Sequence, residues 1–213
     1  MNVMKKIVSL LAVAFCLLSC QQESAVNPYV EAQKLELASK NKQVARSFEA
    51  FVSSPGYADS RDMWRGKAIN QYNPKNSRVE ILLREQRGRL YINDQIAMDF
   101  PVCSGRVGGY ETPKGHFRIT EKKRDHRSSL YGSFVGPGNE VVREDVKSAD
   151  KAPTGARFKG ASMPYWMRFN GAIGMHVGSV YRSGASHGCV RVPVEACSIL
   201  FEKLAVGSVV IVK

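Results

Sequence analysis

Two short stretches of this sequence carry side chains able to do covalent chemistry: "MHVG", residues 175–178, and "SHGCVR", residues 186–191. In the second, Cys189 follows His187 with only Gly188 between them, and Arg191 stands two positions further on. That spacing admits three chemistries: a thiolate nucleophile, half of a metal site, or an inert buried cysteine beside a turn. A thiol with a reference pKa of about 8.5 is mostly protonated at neutral pH, so a nucleophilic cysteine needs a base or a helix N-terminus nearby. Both are on offer, because Cys189 precedes a segment of helical character, "VPVEACSILFEKLA", and His176 and His187 flank the connection leading into it. Gly188 carries no side chain to obstruct backbone amides converging on an oxyanion. His176, His187 and Cys189 are also competent zinc ligands, but a structural site wants a fourth, and only Cys103 is available, without a spacing pattern. Neither a metal nor another cofactor is expected.

The elements that must position these residues are short. "SRVEILLREQRGRLYIND" reads as a hairpin in which Val79, Ile81 and Leu83 alternate and "EQRG" turns the chain. "QIAMDFPVCSG" is a further strand stopped by Gly105, "HFRIT" follows a Pro/Gly turn, "AIGMHVG" is a short apolar strand, and "GSVVIVK" closes the chain as a buried one. Residues 124–162, rich in Gly, Ser and charge, are too long for a simple connection and predict a functional loop or insertion. The expected fold is mostly β with one or two short helices, over residues 77–213, preceded by a helical N-terminal segment. That preface, within residues 20–76, has apolar residues loosely at helical period (Val30, Leu35, Leu37, Val44, Phe48, Phe51) and ends at the breaker "SSPG".

At 213 residues the chain holds one ordinary domain plus a tail. With 44% hydrophobic and 23% charged residues it is globular in composition. A net charge of +12 suggests an acidic partner: nucleic acid, anionic lipid or an anionic wall polymer. Zinc-finger spacing, an RNP-like aromatic motif and a long arginine run are all missing, so nucleic acid is not the expected partner.

Residues 1–19 read as an export signal. "MNVMKK" supplies positive charge, and the apolar run "IVSLLAVAFCLL" is shorter than the roughly 20 residues of a membrane-spanning helix. The run ends in "LLSC", which resembles a bacterial lipobox. That resemblance implies diacylation of Cys20, which becomes the new N-terminus, and Gln21 after it implies a periplasm-facing lipoprotein of the outer membrane. Plain cleavage to a soluble periplasmic form is the alternative. Export leaves Cys103, Cys189 and Cys197, an odd number for an oxidising compartment, so at least one stays unpaired.

Taken together, "MHVG" and "SHGCVR" resemble the signature of the L,D-transpeptidases of the YkuD type, peptidoglycan cross-linking enzymes built on a small β-rich domain. "VEILLREQRGRLYIND" is similar to the family's opening hairpin, "FPVCSGRVGGYETPKGHFRI" to its TPxGxF block, and "MPYWMRFNGAIGMHVG" to the run into its first histidine. The resemblance spans residues 77–213 and implies a YkuD-like β-sandwich. It implies Cys189 as the acylated nucleophile and His176 as its general base, oriented by a backbone carbonyl. It further implies an oxyanion-hole segment of His187, Gly188 and the Cys189 amide, with Ser186 bracing that loop. Arg191 would meet a stem-peptide carboxylate through its planar fork. Peptidoglycan stem peptides and, through the N-terminal lipid, the membrane are the implied partners. Two departures stand out: nine residues separate His176 from Ser186, which shifts substrate contacts toward residues 124–162, and Cys103 replaces what is commonly a serine. The implied reaction is transfer of a cysteine-bound acyl group to an amine. A carboxypeptidase giving the same acyl group to water, and a non-catalytic wall-binding lipoprotein, are the alternatives.

Overall fold

The computed structural model describes residues 47–213. The signal, Cys20 and the helical preface up to residue 46 lie outside the described residues. What is described of the preface is one helical turn and a half, α1 (Phe48–Val52), capped by Ser47, whose hydroxyl accepts from the Ala50 N–H at 3.1 Å.

Two sheets enclose the core. The first has six strands: β1 (Trp64–Arg65), β2 (Ser77–Leu82), β3 (Arg87–Ile92), β4 (Gln95–Pro101), β5 (Gly115–Arg118) and β13 (Val209–Val212). Their spatial order is β1-β4-β3-β2-β13-β5. The expected hairpin is β2 and β3, which pair antiparallel from Leu82↔Arg87 to Ser77↔Ile92. Leu83 falls in its turn rather than in the strand, yet still packs against the core. Asn93 and Asp94, both at positive φ, close the next hairpin in the conformation that two-residue loops prefer. The chain's last strand, β13, sits between β2, to which it is parallel, and β5.

The second sheet is β12-β11-β10-β6, formed by β6 (Glu121–Lys123), β10 (Trp166–Asn170), β11 (Ile173–Val177) and β12 (Val190–Val192). Alternate residues of a strand share a face. Met167, Phe169, Met175, Val190 and Val192 therefore face the first sheet and join Val79, Ile81, Leu90, Ile92, Met98 and Phe100 in one apolar cluster. Helix α2 (Val194–Lys203) adds Ala196, Cys197 and Leu200 to it. The result is the mostly β, sandwich-like architecture expected from the sequence.

Residues 124–162 correct one expectation. They are not an irregular loop but a third sheet, β8-β7-β9, of three antiparallel strands: β7 (Arg127–Val135), β8 (Val141–Lys147) and β9 (Arg157–Ser162). Alternating glycine, serine and charge mark a sheet with little buried surface, which composition alone reads as loop.

Candidate active site

The face of the second sheet turned away from the core is the floor of a cleft of about 270 Å³. On β12, Val190 and Val192 point into the core, so Cys189 and Arg191 point into the cleft. The parallel register of β11 and β12 sets His176 beside Arg191, and the β10–β11 register sets Arg168 beside Gly174. Trp166 completes this floor, its indole folded across Gly174, where a Cβ would meet ring carbons at 2.7 Å. Glycine at 174 is what lets the indole lie across the strand beside Cys189. The roof is the third sheet, which contributes Ser128, Ser129, Leu130 and Tyr131 from β7 and Ala161 from β9.

His176 is 7% exposed, and burial pushes its pKa down to about 4, the positive charge of Arg191 adding to the effect while Val177 opposes it. Its Nδ1 lies 2.8 Å from the Val177 carbonyl oxygen. A carbonyl only accepts, so Nδ1 donates and the neutral ring carries its free lone pair on Nε2. Burial likewise raises the Cys189 thiol, partly countered by the Gly174 backbone N–H and by Arg191. The resting pair is thus a neutral thiol beside a neutral imidazole. A helix N-terminus does not alter this: α2 begins at Val194 within the segment of helical character expected after the cysteine motif, and strand β12 and Pro193 separate Cys189 from it.

Ser186 is buried and holds the loop 186–189 from inside, donating to the Cys189 carbonyl at 2.5 Å and accepting from the Gly188 N–H at 3.1 Å. That occupies the Gly188 amide, which is therefore not free to meet an oxyanion. Gly188 has φ of +113°, a backbone state that side chains resist, and this is its local reason to be glycine. Thr112, to which sequence reasoning gave no role, clamps the same loop: its hydroxyl donates to the Gly188 carbonyl at 2.8 Å and accepts from the Gly105 N–H at 2.9 Å. The threonine of the TPxGxF block was the signal for it.

His187 faces the roof. Its ring stacks on Tyr131 at 4.2 Å and meets Tyr110 edge-on at 4.9 Å, while Nε2 lies 2.9 Å from Arg106 Nη2 and 3.4 Å from Asp145 Oδ1. Burial and Arg106 lower its pKa. Arg191 lies along Gly178, whose Cα leaves room for the arginine's methylenes, and its guanidinium has no ion-pair or hydrogen-bond partner among the described residues. Cys103 exchanges both backbone hydrogen bonds with Arg191, at 2.9 and 3.0 Å, and its buried thiol points to the Ser183 carbonyl at 3.4 Å. Cys197 is fully buried, which drives its pKa far up and leaves it inert. Among the described residues no three His, Cys, Asp or Glu side chains converge as metal ligands do.

Residues 76–212 match the family model described as the YkuD L,D-transpeptidase catalytic domain. The chain belongs to this family. Solved structures similar to it include an L,D-transpeptidase from Stackebrandtia nassauensis, with 23% identity, 67% of this chain and 58% of that one covered, and a TM-score of 0.48. Another is an L,D-transpeptidase from Mycobacterium smegmatis, at 14% identity, 65% and 58% coverage and a TM-score of 0.49. A third, the Enterococcus faecium L,D-transpeptidase, has 19% identity, 65% and 50% coverage and a TM-score of 0.46. The match thus spans less than two thirds of the length of each of these proteins. A comparison with curated proteins finds no match.

Proposed function

We propose that the protein is a peptidoglycan L,D-transpeptidase working through a cysteine acyl-enzyme. The observation that carries the reading is that Cys189 and a tautomerically fixed His176 line one cleft together with Arg191, which is unpaired among the described residues. His176 Nε2 takes the Sγ proton as sulfur attacks the carbonyl joining the third stem residue, at its L-centre, to the terminal D-residue. The Cys189 N–H meets the oxyanion that forms, and Arg191 holds the D-residue's carboxylate through parallel N–H donors. Collapse breaks the C–N bond, His176 returns the proton to the leaving amine, and a thioester remains on Sγ. An acceptor amine then takes the acyl group and restores the thiol.

Lipidation at Cys20 would fix this activity to the membrane, facing the wall; the support is the "LLSC" motif behind an apolar run. Incubating the purified protein with tetrapeptide muropeptides and weighing the products tests the reaction. Cross-linked dimer supports transfer, tripeptide alone supports hydrolysis, and unchanged material refutes an enzymatic role.

A further inference from the structure

The residues lining the cleft include three histidines, His126, His176 and His187, and two arginines, Arg168 and Arg191, but no carboxylate. Among the lining side chains, the imidazoles are therefore the groups suited to take up a proton at neutral pH. Aminolysis of a thioester asks for two removals: an amine arrives as an ammonium and must lose one proton before it can attack, and its nitrogen loses another as the amide forms. Water asks for one. His176 serves the sulfur and can serve one of the amine's protons. His187 has its Nε2 against Arg106 and its ring clasped by Tyr110 and Tyr131.

His126 is differently placed. It lies between β6 and β7, its carbonyl accepting from the Met163 N–H at 2.8 Å, which fixes the backbone just ahead of β10. Its ring stacks on the Trp166 indole at 4.8 Å and 24°, and the same indole meets His176 at 6.2 Å. Neither ring nitrogen of His126 has a hydrogen-bond partner among the described residues. The structure seats it on the cleft wall, where it and His176 both meet the Trp166 indole.

We propose that His126 is the base for the acceptor: building on the acyl-transfer reading above, it accepts the proton that an ammonium must shed before attacking the Cys189 thioester. The amine nitrogen then bonds to the acyl carbon and the C–S bond breaks. His176 moves the second nitrogen proton to the departing thiolate, and His126 gives the first to solvent. The charged groups facing His126 are Lys123 and Glu121 from β6 and Arg168 from β10, with His176 close enough for the two imidazoles to act on each other. Burial and Lys123 hold its pKa below the ordinary histidine value, against Glu121, so it is neutral and ready to accept at neutral pH. The same surroundings, with Arg191, disfavour an intact ammonium in the cleft.

The test pits two acceptors against each other on one tetrapeptide-stem donor: the side-chain amine of an Nα-blocked lysine amide, protonated at neutral pH, and hydroxylamine, largely unprotonated there. His126→Phe keeps the stack, and His126→Gln keeps a polar ring-sized group without the base. For both variants transfer to the lysine amine should fall about 10²-fold and transfer to hydroxylamine by less than about threefold. Equal losses for the two amines would reduce His126 to a packing role, and no loss for either would remove it from the reaction; each overturns the proposal. If the unaltered protein forms no thioester with the donor, the acyl-transfer reading itself fails and the role of His126 falls with it.

Discussion

Among the described residues two polar clusters, one buried in the first sheet and one half-buried in the cleft, are built on opposite plans. On the six-stranded sheet, Asp99 is fully buried and accepts from Arg87 Nε at 2.8 Å, Arg87 Nη2 at 2.5 Å, Arg89 Nε at 2.9 Å and Tyr57 OH at 2.9 Å. Two further donors of Arg87 go to the carbonyls of Ser60 and Asp62. In the cleft, by contrast, Cys189 Sγ meets the Ala172 carbonyl at a long 3.9 Å and the Gly174 backbone N–H, His176 uses one nitrogen, and Arg191 is unpaired among the described residues. Buried groups normally find partners. A cluster that meets every need locks structure, here tying residues 57–62 onto the sheet, whereas one left short keeps its valences for a substrate.

The largest expected effect comes from taking the base out of the unmatched cluster. His176→Gln should lower kcat/KM for acylation by about 10²- to 10⁴-fold, with little loss of fold, while His116→Gln, away from the cleft, should cost almost nothing. Steady-state kinetics on both variants checks this.

The matched cluster should respond in stability instead. Asp99→Asn leaves the Arg87 guanidinium buried without its counter-charge, and denaturant melts should show a loss of about 3–5 kcal/mol. An activity loss at intact stability would contradict the division between the clusters.

Stability should also carry the mark of His176. Its folded pKa is about 4, below the ordinary 6.5, so between these values the unfolded chain binds more protons than the folded one. The stabilisation is therefore whole above pH 6.5 and drains away as pH falls toward 4. It amounts to roughly 3 kcal/mol for the full depression. His126 and His187, shifted the same way, add to the slope, and His176→Gln should flatten it in melts from pH 4 to 7.

The smallest effect is the most discriminating. Arg191→Lys keeps the charge but not the fork, and should cost a carboxylate-bearing donor about 1–3 kcal/mol in kcat/KM. An acylating agent without that carboxylate should react nearly as before. Parallel losses with a lowered Tm would make Arg191 a scaffold residue.

Much of this was legible in the residues. The hairpin of β2 and β3 shows in the alternation of Val79 and Ile81, and β13 in "VVIV", because core burial imposes a period of two on the chain. Cys189 and His176 were legible as a pair, since reactive side chains announce themselves by type. Sheet β8-β7-β9 was not, as its exposed strands carry no apolar period. Nor was the strand between Cys189 and α2: three residues, Val190–Val192, are too few to give a pattern, and their strand character comes from pairing with β11. His126 was visible only as a histidine in a polar segment, because its place depends on a stack with Trp166, forty residues along the chain.

The most direct test of the central claim is intact-protein mass spectrometry after mixing the enzyme with a tetrapeptide-stem donor. The account predicts a mass gain equal to the donor less its terminal D-residue, mapped by peptide digestion to Cys189 and missing from Cys189→Ala. An adduct carried instead on Cys103, or formed equally by Cys189→Ala, would contradict it.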